Sequence, residues 1–205
     1  MSSKCMSLAM ALIVLVASQG QSQTSKSNTD ADTPHFSVEV WGDIAVDFRA
    51  RVSSYFELRS ELEKGLPVQT VTNDPAEIRM VAHALAKRIR RARAGAKRGD
   101  IFTPAITAAF RKALLFEMNE SSWAAIMDDN PGEFSVEING SYREGKPFST
   151  VPSSILAALP TLPDDIEYRF LGRHLILLDM KASAILDSIP YAIQFTDRDM
   201  AKVHM

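Results

Sequence analysis

Between Arg79 and Gly99 the chain carries eight cationic side chains, Arg79, Lys87, Arg88, Arg90, Arg91, Arg93, Lys97 and Arg98, and no acid. Placed on a helix, they occupy the arc opposite an apolar stripe of Ile78, Val81, Ala82, Leu85 and Ile89. Such a face holds anions by Coulomb attraction: phosphate, acidic polysaccharide, anionic lipid or an acidic protein surface. Arg79, Lys87, Arg90 and Arg91 are the candidate binding residues. A plainer account also fits, a solvated face whose late cations favour the helix C-terminus by a few tenths of a kcal/mol each. His83 lies among these cations, which disfavour a divalent metal there, so it reads as a surface histidine. Nucleic acid is a poor partner, because no aromatic is interleaved with the cations to stack on bases.

A second constellation lies in residues 166–179, IEYRFLGRHLILLD. With Gly172-Arg173 as a two-residue turn, Leu171 opposes His174, Phe170 opposes Leu175 and Tyr168 opposes Leu177. One face is then apolar: Ile166, Tyr168, Phe170, Leu175 and Leu177. The other carries Glu167, Arg169, Leu171, His174, Ile176 and Leu178. Glu167, Arg169 and His174 bring an acid, a guanidinium and an imidazole to one face, the raw material of a small hydrolase or isomerase; ordinary cross-strand pairing on an exposed or helix-covered face is the plainer account. Arg143, Arg169 and Arg173 are candidate partners for Asp164, Asp165, Asp179 or Asp187.

Other short motifs carry less. Arg98-Gly99-Asp100 spells an adhesion tripeptide, but Gly99 is needed for a turn between two helices. Asp128, Asn130 and Gly132 resemble the start of a calcium loop, yet the twelfth position is Asn139, where that loop needs a bidentate glutamate; turn chemistry explains the segment. No G-x-S-x-G, H-E-x-x-H, phosphate-binding loop or G-x-G-x-x-G is present. The residues supply no metal site and no cofactor motif. Asn119 and Asn139 open glycosylation sequons.

The elements that must position these residues follow from periodicity and caps. A helix is expected over Gly42–Lys64, with Ile44, Phe48, Val52, Tyr55, Phe56 and Leu62 on one face. A second opens at Asp74-Pro75 and stops near Gly95, and a third opens at Thr103-Pro104 and runs to about Met118. A shorter one covers Ser121–Met127. Beyond Asp128, FSVEING alternates like a strand before Asn139-Gly140, a strong turn pair. VPSSILAAL is a short helix, the hairpin follows, and KASAILDSI over 181–189 reads as a short final helix.

The chain has 205 residues, 46% apolar, with 23 Lys+Arg against 25 Asp+Glu and a net charge of −2. That is globular composition, neither low-complexity nor charge-saturated. Since residues 79–99 are purely basic, the remainder is net acidic. Residues 1–20 have a signal-peptide pattern: Lys4, an apolar run over 6–17 and small residues after it, with cleavage expected between Ala17 and Ser22. The run is too short to span a membrane. Cys5, the only cysteine, lies inside the expected signal peptide, so the mature chain would have no thiol chemistry. Residues 21–35 read as a disordered leader and 36–192 as one domain, helical over 42–127 and mixed over 133–192. A polar tail covers 193–205.

The segments DPAEIRMVAHALAKRIRRARAGAKRGDIFTP and LPTLPDDIEYRFLGRHLILLDMKASAILDSIP resemble blocks of uncharacterised exported proteins of soil bacteria. The second is also similar to the C-terminal hairpin module of small periplasmic proteins of the nickel/cobalt-homeostasis type, through Tyr168, Gly172, Asp179 and Asp187. The resemblance implies a periplasmic address and a hairpin–helix unit, and no activity. The expectation is an α+β fold: three to four N-terminal helices packed on a small C-terminal antiparallel hairpin or sheet, with a short final helix. The expected function is that of an exported, periplasmic or extracellular, non-enzymatic binding protein. Its partner would be an anionic envelope component or an acidic protein, with no transmembrane span left after signal cleavage. The alternative is the small hydrolase or isomerase at Glu167, Arg169 and His174.

Overall fold

The computed structural model describes residues 38–66, 74–132, 134–142 and 145–194. The expected signal and leader, Arg143 and most of the polar tail lie outside the described residues.

Helix α1 covers Val38–Glu63, starting upstream of the expected Gly42. Its buried residues Ala45, Phe48, Val52, Tyr55 and Arg59 step by three and four along one face. Helix α2, Pro75–Ala92, begins as the sequence predicts: the Asp74 side chain accepts from the Ala76 N–H, and Pro75 takes the first turn. Its inward face is rotated from the expected stripe. Val81, Leu85, Ala86 and Ile89 are buried, whereas Ile78 is 43% exposed. Helix α3, Pro104–Glu117, is capped by Thr103 and buries Ile106, Ala109, Phe110 and Leu114. Helix α4, Glu120–Asp128, is capped by Asn119, and α5 is the short Ser153–Ala158.

Strands β1 (Ile166–Leu171), β2 (His174–Asp179) and β3 (Ala184–Ile189) form one antiparallel sheet in the order β1-β2-β3. The β1–β2 register pairs Leu171 with His174, Phe170 with Leu175 and Tyr168 with Leu177, as the hairpin pattern predicts. The Gly172 turn (φ +56°) is clasped by Asn130, whose Oδ1 accepts from the Gly172 N–H at 2.8 Å and whose Nδ2 donates to the Gly172 carbonyl at 3.0 Å.

The expected short final helix over 181–189 is corrected: Ala184–Ile189 is a strand, buried at every residue. Its apolar positions 182, 185, 186 and 189 mimic a helical stripe because the register shifts between Leu177 and Leu178. Leu178 pairs with Ile185 and Leu177 with Asp187, so Leu186 is the extra residue of a bulge. The bulge puts Leu186 and Asp187 consecutively on the helix-facing side.

Both faces of the sheet are covered. Ile166, Tyr168, Phe170, Leu175, Leu177, Leu186 and Ile189 join the helices in the main core, around Phe48, Phe102 and Phe110. The opposite face, expected to be half polar, buries Leu171, Ile176, Leu178 and Ile185 with Tyr142 in a second cluster. That cluster is roofed by Phe134, Val136 and Ile138, so the alternation in FSVEING does mark an inward face. The segment makes no ladder of its own. Instead, residues 139–142 dock along the edge of β3: Asn139 N donates to Ile185 O, Ile185 N to Gly140 O and Tyr142 N to Ser183 O. This covers an edge that would otherwise expose unpaired backbone groups. Among the described residues, no helix is long and apolar enough to cross a membrane.

Candidate functional site

The basic segment divides in two. Arg88 donates to the carbonyls of Leu62 at 2.8 Å and Lys64 at 2.9 Å, closing the end of α1, whose last turn has no cation of its own. Arg90 donates to Ser141 Oγ at 3.1 Å, and Arg98 to Ser188 Oγ at 3.2 Å. Arg93 donates to the Leu186 carbonyl at 3.1 Å, and its guanidinium lies 5.2 Å from the Tyr55 ring centroid; burial lowers its pKa, and nearby Tyr55, Asp100 and Asp187 oppose that shift. Four of the eight cations therefore fasten α2 and the following turn to the rest of the fold. Arg90, a candidate for the free face, belongs to this group.

Of the other four, Lys97 is exposed in the turn after α2, and Arg79, Lys87 and Arg91 are exposed on the helix itself, with His83 between them. No hydrogen bond or ion pair engages their side chains among the described residues. Residues 79, 83, 87 and 91 are four apart, so they form one continuous row along α2, with successive Cβ atoms about 6 Å apart. The twelve steps from Arg79 to Arg91 rise about 18 Å.

At its Arg79 end the row meets a groove of about 680 Å³. One wall is α2, through Arg79 and His83, and the other is the 134–148 segment, through Phe134, Glu137, Tyr142, Lys146 and Phe148. The Tyr142 and Phe148 rings stack at 4.9 Å and 24°, and Phe134 meets Tyr142 edge-on at 5.8 Å. Tyr142 donates its hydroxyl to the Pro147 carbonyl at 2.6 Å, next to Phe148.

The sheet-face constellation is only partly assembled. Glu167 and Arg169 form an ion pair, and Arg169 also donates to the Ser149 carbonyl and lies over the Phe148 ring. Together they line a groove of about 430 Å³ with Val151, Leu156 and Leu162, whose walls do not include His174. His174 sits at the hairpin turn, where its Nδ1 accepts from the Tyr191 N–H at 3.3 Å and its ring packs on Tyr191 at 4.8 Å. The acid and the guanidinium thus share this groove without the imidazole.

Two buried aspartates, Asp179 and Asp187, expected from sequence as ion-pair partners of Arg143, Arg169 or Arg173, are instead hubs of hydrogen bonds. Asp187 accepts from the backbone N–H groups of Gly99, Ile101 and Phe102 at 2.8–3.1 Å, and from that of Ser188 at 2.7 Å. The Arg98-Gly99-Asp100 tripeptide is therefore a turn wrapped on a carboxylate; Asp100 Oδ2 accepts from the Lys97 N–H within it. Asp179 accepts from the Tyr55 hydroxyl at 2.6 Å and the Ala182 N–H at 2.9 Å, with Arg59 at 3.5 Å. The arginine that serves Asp179 and Asp165 is Arg59 of α1, rather than Arg169 or Arg173. Asn130 holds the hairpin turn and accepts from the Gly132 N–H, which is turn chemistry. Asn139 donates to the Arg90 and Arg93 carbonyls, capping α2. Among the described residues, no group of three or more His, Cys, Asp or Glu is placed to hold a metal ion. Searches find no protein family, curated protein or solved structure that matches this chain.

Proposed function

We propose that this chain is an exported, non-enzymatic binding protein that recognises an extended polyanion, such as an acidic polysaccharide of the envelope, through the exposed row on α2. The observation that carries the reading is the division of the cations. Arg88, Arg90, Arg93 and Arg98 are spent on the fold, whereas Arg79, Lys87 and Arg91 stay exposed without partners among the described residues. Side chains about 6 Å apart along one line suit a ligand with repeating negative charge better than a single small ion. The lysine and aliphatic run at the start of the sequence, and a single cysteine confined to it, support a periplasmic or extracellular address.

Retention of the full chain on immobilised polygalacturonate tests this. The wild type is expected to bind at low salt and to elute as salt rises. The double variant Lys87→Glu/Arg91→Glu is expected to flow through. Neither side chain holds another part of the described fold, so the change removes charge without removing structure. Equal retention of variant and wild type overturns the reading.

A further inference from the structure

Strand β1 is an outer strand of the sheet, and the ladder fixes which of its backbone groups face away from β2. Met180 N donates to Asp165 O, which makes these two a hydrogen-bonded pair in the β1–β2 register. Such pairs alternate in an antiparallel ladder, so Glu167, Arg169 and Leu171 turn their backbone groups to β2. Ile166, Tyr168 and Phe170 turn theirs outward. Both ends of that outer edge are closed. Ile166 N donates to Pro163 O at 3.2 Å, and Ser149 Oγ accepts from Phe170 N and donates to Phe170 O, each at 2.8 Å. Between these ends the N–H and C=O of Tyr168 have no hydrogen-bond partner among the described residues. An edge left in this state is a template for another chain.

The open stretch lies in the groove of about 430 Å³. On the Tyr168 side of the strand its walls are apolar: Val151 and Leu162, which pack on the main core, and Leu156, which is 47% exposed. On the other side lie its charged residues, Glu167 and Arg169. A residue paired with Tyr168 would set its side chain on the apolar side. In antiparallel pairing, the residue before it lies opposite Arg169 and the residue after it opposite Glu167.

We propose that this groove docks an extended peptide of a partner protein, added antiparallel to β1, with the pattern acidic–aliphatic–basic. The aliphatic residue exchanges two backbone hydrogen bonds with Tyr168 and packs beside Leu156, and the flanking charges extend the Glu167–Arg169 ion pair. None of Arg79, Lys87 and Arg91 lines this groove, so this site and the polyanion row fail separately.

The test is titration of the full chain with acetyl-Ser-Glu-Leu-Lys-Ser-amide, followed by amide NMR and calorimetry. One-site binding is expected, with the Tyr168 N–H resonance shifting more than those of Glu167 and Arg169. N-methylation of the peptide's leucine removes the donor to the Tyr168 carbonyl and should weaken binding by about tenfold or more. N-methylation of its lysine, whose N–H points away from β1, should change it by less than about threefold. Leu156→Glu should weaken binding by about tenfold; Leu156 is exposed, so this variant keeps the fold, and a circular-dichroism melt checks that it does. The peptide with its glutamate and lysine exchanged should bind at least about threefold more weakly. The proposal is overturned if the peptide does not bind at about 10 mM, if leucine N-methylation or the charge exchange leaves affinity unchanged, or if the Tyr168 N–H does not shift. A dimer of the free chain that Leu156→Glu abolishes would assign the edge to a second copy and would also overturn it.

Discussion

Asp187 gathers more backbone donors than any other described side chain. Its two oxygens take the N–H groups of Gly99, Ile101, Phe102 and Ser188, and it is fully buried. A buried carboxylate is costly unless hydrogen-bonded; here the donors come from a turn whose N–H groups would otherwise be buried without acceptors. Asp187→Asn keeps the shape but replaces one acceptor oxygen by a donor facing those N–H groups. We expect it to cost about 2–3 kcal/mol in urea unfolding; a loss below about 0.5 kcal/mol would contradict this role. Neither Asp187 nor Arg59 was legible in advance. Both act on groups far away in sequence: Arg59, which is 3% exposed, continues the Phe48, Val52 and Tyr55 stripe of α1, but that spacing does not say which carboxylates it meets. Tyrosines give the residue scale a pH signature. Burial pushes the phenols of Tyr55 and Tyr168 well above their ordinary value, with the charge of Asp179 reinforcing the effect at Tyr55. A raised folded-state pKa means the folded chain keeps protons that the unfolded chain releases. The associated stability is complete below the unfolded value of about 10 and is lost as pH rises above it. Unfolding free energy should therefore fall above about pH 10, with part of the phenolate absorbance appearing only on unfolding. Full phenolate absorbance in the folded chain at that pH would contradict it.

At the scale of elements, local chemistry was decisive where the cap lies in the chain itself. Asp74-Pro75 and Thr103-Pro104 start α2 and α3, and both side chains accept the expected backbone N–H. The hairpin was legible because strict alternation and Gly172-Arg173 admit one register. The last strand was not, since its two-sided burial and its bulge at Leu186 erase the period of two that identifies a strand. The hairpin turn also depends on a residue that sequence placed only in a loop. Asn130 makes both hydrogen bonds to Gly172. Asn130→Ala is expected to cost about 1–2 kcal/mol and to speed hydrogen exchange at the turn-proximal pair Leu171 and His174 more than at Leu178. Uniform change along the hairpin would mean that the turn is held by its own residues.

At the scale of the whole molecule, the near-neutral net charge of −2 hides a separation of signs. One helix and the turn after it hold eight cations, and the rest of the chain is net acidic. The size of that basic face was legible; its division was not, because whether an arginine is free depends on which carbonyls the tertiary fold brings beside it. Arg88 finds the end of α1, and Arg93 finds β3, while Arg79, Lys87 and Arg91 face solvent. The aromatic groove was equally hidden, since Arg79 and Phe148 are brought to one space only when the 134–148 segment crosses the sheet. The most direct measurement of the central claim is the affinity of the full chain for soluble polygalacturonate across a salt series, for the wild type and for Lys87→Glu/Arg91→Glu. The account predicts that wild-type affinity drops by about tenfold or more between about 50 and 200 mM salt, and that the variant binds too weakly at low salt to show such a slope. Wild-type binding that ignores salt, or a variant with the wild-type slope, would contradict it.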